Sequence, residues 1–184
     1  MLPPLSRVFE ICLYSLLNFF PFLIFALYPF RDDLRFSRTK TGLLIVVLTF
    51  LQILFGLLAC FSIGNISAVL SLISTLSYAF FYFTVIRKSP GQLLFVLLMI
   101  SNIANLVVIT AKCLEGQFFP DFALLPYRYS MSLFMVIVEI FILIPVFIFL
   151  KKVITPAISC SQSFHEWRYL WLIPATFYLI WYYM

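Results

Sequence analysis

Glu139 is the residue with the most chemical potential for its surroundings. It sits in the middle of YSMSLFMVIVEIFILIPVFIFL, a run with no other charge. An ionised carboxylate at mid-bilayer costs at least about 2.5–3.5 kcal/mol, so such a group must be partnered or protonated. A second set of polar groups lies in LMISNIANLVVITAKCLEG, residues 98–116. On a helix advancing about 100° per residue, Ser101, Asn105, Lys112 and Glu115 fall within roughly 40° of one line, with Asn102 at its edge. Lipid offers these groups no hydrogen bonds, so the stripe is expected to face other helices. Counted along their apolar runs, Asn18, Gln52, Thr75, Asn102 and Glu139 all come out near mid-depth. Asn102 and Asn105 are therefore the expected partners of Glu139. Two readings follow: polar glue between helices, or a signal-coupling seam of Glu139, Asn102, Asn105, Lys112 and Gln52. In the second, Glu139 acts on helix position through Pro145, six residues on, where a proline frees a backbone carbonyl and makes a bending point.

Other chemistry finds less support. Cys160 and His165 share a Ser-rich segment, and a Cys–His pair can make a thiol nucleophile, but no third group is placed to orient them. The four cysteines, Cys12, Cys60, Cys113 and Cys160, form no CxxC pair, and with a single histidine they give no metal-ligand spacing. Cys60 and Cys113 fall at similar depth and could form a disulfide; two free thiols are the simpler reading. HExxH, GxSxG and a Gly-rich phosphate loop are all missing from the sequence. The expectation is no catalytic residue, no metal and no cofactor.

The elements that must position these residues are membrane helices. Hydrophobic residues make up 64% of the 184, charged residues 10%, and the mean hydropathy is +1.11, far from the composition of a soluble domain. The expected fold is an all-α integral membrane protein, a single domain over 1–184. It is a bundle of six transmembrane helices at about 8–30, 41–62, 66–86, 93–113, 129–150 and 169–184. The first run is too long and aromatic for a signal peptide. Pro21 should kink it, and Glu10 near its start can reach the headgroups. A tight turn at Gly64-Asn65 separates the second and third runs. Ser67, Ser71, Thr75 and Ala79 recur every four residues on the third, the spacing by which small side chains let helices pack closely. The last run is short at about 24 Å and ends on Trp181-Tyr182-Tyr183, and the chain looks cut before a seventh span.

Charge sets the expected orientation. Arg31, Arg35, Arg38, Lys40, Arg87, Lys88, Lys151, Lys152 and Arg168, nine of the 12 Lys and Arg, lie in the loops after spans one, three and five. The positive-inside rule puts these loops in the cytoplasm, with the N-terminus and the 114–128 loop outside. Basic residues confined to short gaps between apolar runs argue against nucleic acid as a partner and for the lipid bilayer.

The segments FRDDLRFSRTKT, QILFGLLA, LMISNIANLVVITAKCLEG, PYRYSMSLFMV and WRYLWLIPATFYLIWYY resemble the multi-span N-terminal membrane sensor of GHKL-type sensor histidine kinases of Gram-positive bacteria, which are similar in layout to peptide-quorum receptors. The resemblance implies a signal-reception module of a two-component system in the bacterial cell membrane. Such a module takes a small peptide or small-molecule signal, with a homodimer as an open assembly, and relays it to a cytoplasmic output domain. The ATP-binding and phosphoacceptor regions of that family are not in this sequence, so no kinase activity is implied for it. Two other readings stand beside it: a small carrier or channel using Glu139, and a membrane peptidase, for which the Cys160/His165 segment lacks a defined motif.

Overall fold

A computed structural model describes residues 5–62, 65–124, 127–160 and 164–183. Apolar runs interrupted by few glycines become helices almost without exception. α1 covers Leu5–Leu27, α2 Arg38–Phe61, α3 Asn65–Val85 and α4 Pro90–Phe118. A short α5, Pro120–Ala123, precedes α6, Tyr129–Phe149, and then come α7, Thr155–Cys160, α8, Phe164–Leu170, and α9, Leu172–Tyr183. No sheet forms among the described residues.

Local chemistry accounts for the helix ends. Ser37 caps α2, its hydroxyl accepting from the Lys40 N–H at 3.4 Å. Pro90 stands in the first turn of α4, where its missing N–H costs nothing. Pro21 lies inside α1, which continues through it. Between α6 and α7 the chain does not stop: Leu150–Ile154 form a π-helical turn. Pro156, just beyond, has no N–H to give, and its ring would crowd the carbonyl four residues back; the widened turn accommodates both.

Among the described residues, five helical stretches are long and apolar enough to cross a membrane: Leu5–Phe30, Arg38–Phe61, Ile66–Val85, Pro90–Phe118 and Tyr129–Cys160. The expected sixth span, 169–184, takes a different form. The chain breaks at Trp171 between α8 and α9, and α9 has only 12 residues. That is about 18 Å at 1.5 Å per residue, well short of a ~30 Å core. Pro174, in the first turn of α9, cannot donate to the preceding turn, which sets the break. The Gly64 half of the expected turn after α2, and the side chains of His165, Trp181, Tyr182 and Tyr183, lie outside the described residues.

α4 is the hub, touching α1, α6, α8 and α9, whereas α3 packs mainly on α2. Gly91 brings α8 close: a Cβ there would stand 2.3 Å from the Trp167 carbonyl oxygen. The core is denser near the basic loops. Leu23, Ala26, Phe30, Tyr82, Ile86, Leu93, Val96 and Leu150 are fully buried there or nearly so, and the Tyr82 hydroxyl donates to the Ala26 carbonyl at 3.1 Å. Large apolar side chains such as Phe50, Phe80 and Phe141 point outward, each at least 70% exposed. Such a surface suits lipid and is foreign to water.

Candidate functional site

At the opposite end from the basic loops the helices separate around a cavity of about 360 Å³. α1 contributes Tyr14, Ser15 and Asn18, α2 contributes Gln52, Phe55 and Gly56, and α3 contributes Ser71, Ser74, Thr75 and Tyr78. Ser101 and Asn105 come from α4, Tyr178 from α9, and Tyr127 from the loop before α6. The lining is amide, hydroxyl, aromatic and aliphatic, without a charged side chain among the described residues. Gly56 keeps α2 near α1, since a Cβ there would meet the Ser15 Oγ at 2.5 Å. Among the described residues, no side chain pairs with Asn18 or Asn105. Their amides therefore face the cavity with donors and acceptors to offer.

The outer rim of the cavity is held by ion pairs. Glu10 is 4% exposed and meets Arg7 at 2.8 Å and Arg128 at 3.6 Å. It is thus a buried partner rather than a group reaching for headgroups. Arg7 also donates to the Tyr127 carbonyl at 3.5 Å. Tyr127 has φ of 59°, a left-handed conformation uncommon for a bulky residue. Its ring stacks at a tilt on Tyr14, with centroids 4.6 Å apart. Burial, then the neighbouring Cys60, push the Tyr127 phenol up, while Arg7 acts in the opposite direction. The phenol is therefore neutral at ordinary pH, in keeping with the uncharged lining.

Of the residues singled out by sequence, Gln52, Asn105, Ser71 and Thr75 meet at this cavity, together with Asn18 and Ser101. Gln52 also ties α2 to α3: its Nε2 donates to the Ser74 carbonyl at 3.0 Å and to Ser77 Oγ at 3.1 Å, and its Oε1 accepts from the Ser74 hydroxyl. The expected packing row is displaced by this arrangement. Ser71 and Thr75 are exposed to the cavity, and the helix contact runs through Ser74 and Ser77. Ser67 is half-buried on α3, and Ala79 packs against the core.

Glu139, Asn102 and Lys112 do not join the cavity. Glu139 is 6% exposed on α6, and its Oε1 has no hydrogen-bond partner among the described residues. The expected pairing with Asn102 is not made: Asn102 Nδ2 donates instead to the Pro174 carbonyl at 2.8 Å, docking α9 on α4. Lys112 pairs with Glu115 at 2.7 Å, and Glu115, fully buried, also accepts from Ser130 at the start of α6. The polar stripe of α4 thus divides among three partners. All four cysteines are free. No group of His, Cys, Asp and Glu that could hold a metal occurs among the described residues. Sequence reasoning assigned Glu10 to the headgroups and passed over Tyr14 and Tyr127; the one available signal was a Glu three residues after an Arg at a helix start.

Fold and site together define a class: an all-helical protein whose surface and helix lengths suit a membrane, with an uncharged polar cavity among its helices. The chain matches no protein-family model, and no curated protein or solved structure is similar to it.

Proposed function

We propose that this chain is the signal-reception module of a two-component sensor kinase, a multi-pass protein of the bacterial cell membrane with its N-terminus outside. It takes an uncharged small molecule or small peptide from the outer side and passes the change in helix position to a cytoplasmic output domain. The observation that carries this reading is the cavity: two amides with no partner among the described residues, ringed by hydroxyls, inside an apolar bundle and beneath the Tyr127 rim. A site so lined selects a neutral, hydrogen-bonding ligand with apolar parts. The resemblance to GHKL sensor regions supports the same reading, and the Lys and Arg distribution supports the orientation. Glu139, which a carrier would use, does not line the cavity.

The test joins the chain to an intact kinase output domain and measures signalling against folded yield. Ser71→Leu and Thr75→Leu fill the cavity from an exposed face of α3, so both should fold at normal yield and lose the response. A full response from both would remove the cavity from the mechanism. Single cysteines at Ser37 and Gln117, with the native four replaced, test the orientation. An impermeant maleimide should label Gln117 and spare Ser37 in intact cells; the reverse pattern inverts the topology.

A further inference from the structure

The dense end of the bundle carries a second concavity, of about 500 Å³, lined by Arg35, Arg87, Lys88, Ser89, Gln92, Ile158 and Ser159. The arginines are held there by backbone pairing between the α1–α2 and α3–α4 loops. Leu34 bridges Ile86 in antiparallel fashion, with Arg35 N–H to Val85 O at 2.8 Å and Arg87 N–H to Asp33 O at 2.9 Å. Two side-chain bonds lock the arrangement: Arg35 Nε donates to the Ile86 carbonyl at 3.1 Å, and Arg87 Nη2 to the Arg35 carbonyl at 3.3 Å.

This pairing brings like charges together. Lys88 has a carboxylate partner, Asp33, at 3.4 Å, but among the described residues neither Arg35 nor Arg87 has one. Orientation by the positive-inside rule needs only a count of charges near the membrane, not guanidinium groups fixed side by side around a hollow. A second feature points to the same ligand chemistry. α4, 29 residues long, starts at this pocket, and its N-cap Ser89 makes no capping bond. The Ser89 hydroxyl oxygen is buried and has no hydrogen-bond partner among the described residues. A long helix's N-terminus with spare donors, flanked by two guanidinium forks, is suited to a phosphate oxyanion.

We propose that this pocket binds a phosphate group, at the level of the headgroups on the basic-loop side of the membrane. An anionic phospholipid and free inorganic phosphate share that chemistry. The experiment uses the 184-residue chain purified into phosphatidylcholine nanodiscs, with and without about one-fifth phosphatidic acid, and into phosphatidylcholine discs titrated with inorganic phosphate. Thermal melting and retention of bound lipid in native mass spectrometry are the readouts. Phosphatidic acid should raise the melting temperature and co-purify. Arg35→Gln with Arg87→Gln should weaken retention by about tenfold or more, since each fork gives charge-assisted bonds. Ser159→Glu changes only the exposed α7 wall and should have the same effect by placing a carboxylate in the pocket, so the proposal stays testable if the arginine pair misfolds. Arg38→Gln with Lys40→Gln removes as much charge outside the pocket and should leave retention intact. A rise with inorganic phosphate alone, lost in the same variants, assigns the site to free phosphate and supports the shared chemistry. Equal loss in the Arg38/Lys40 variant, or full retention in Ser159→Glu, reduces the effect to general surface charge and overturns the site.

Discussion

Replacing Gln52 with Leu tests what holds α3 in the bundle. α3 packs mainly on α2 and only slightly on α4, so its docking depends on few contacts. Gln52 supplies three hydrogen bonds across that interface, to the Ser74 carbonyl, to Ser77 Oγ and from the Ser74 hydroxyl. Interhelical hydrogen bonds in membranes average about 0.6 kcal/mol, with a maximum near 1.7. Leu has similar volume and lies comfortably beside lipid, so packing changes little. The expected loss is about 2 kcal/mol, roughly thirtyfold in the unfolding equilibrium. It is read by SDS titration of the protein in bicelles. A double-mutant cycle with Ser74→Ala sharpens the test: that change removes one of the same three bonds, so the two losses should fall short of adding. A loss below about 0.5 kcal/mol for Gln52→Leu, or strict additivity with Ser74→Ala, would refute the view that this amide anchors α3.

Glu10→Ala leaves Arg7 and Arg128 without their shared buried carboxylate and should destabilise the fold by about 3 kcal/mol, measured by melting in detergent. Gly91→Ala drives a methyl into the Trp167 carbonyl and should cost about 1–3 kcal/mol, seen as faster hydrogen exchange in α8. Glu139→Leu removes a buried oxygen that has no partner among the described residues, so melting should stay level or rise; a clear drop would show that Glu139 is interhelical glue after all.

Helices and their apolar faces were legible in the sequence because lipid demands long uninterrupted runs, and α1 to α4 and α6 lie within a few residues of the expected spans. The sixth expected span is not confirmed as one uninterrupted helix, because its length was counted through Trp171 and Pro174, and hydropathy does not register a missing N–H. Depth counted along a sequence cannot say which side of a helix meets which neighbour. Asn18, Gln52, Thr75 and Asn102 were counted to one level, yet the first three line the cavity and Asn102 meets α9. Ser71 and Thr75 carry the same lesson: a four-residue row identifies a face, and Ser74 and Ser77, a few residues along, take the contact. The buried Glu10 pairs arise from residues more than a hundred positions apart, beyond the reach of any local pattern.

The stretch from Tyr129 to Cys160 runs 32 residues as one helical rod, its hydrogen-bond ladder interrupted at Pro145 and at Pro156 and widened in the π turn between them. At 1.5 Å per residue that is a rod of about 48 Å. Its start is joined to the Tyr127 rim of the cavity, and its far end forms the Ile158–Ser159 wall of the arginine pocket. Its mid-length falls near Pro145, and a rod pivoting there moves its two tips in opposite senses. Pro145 and the π turn, where the ladder has slack, are the places where such a rod can flex.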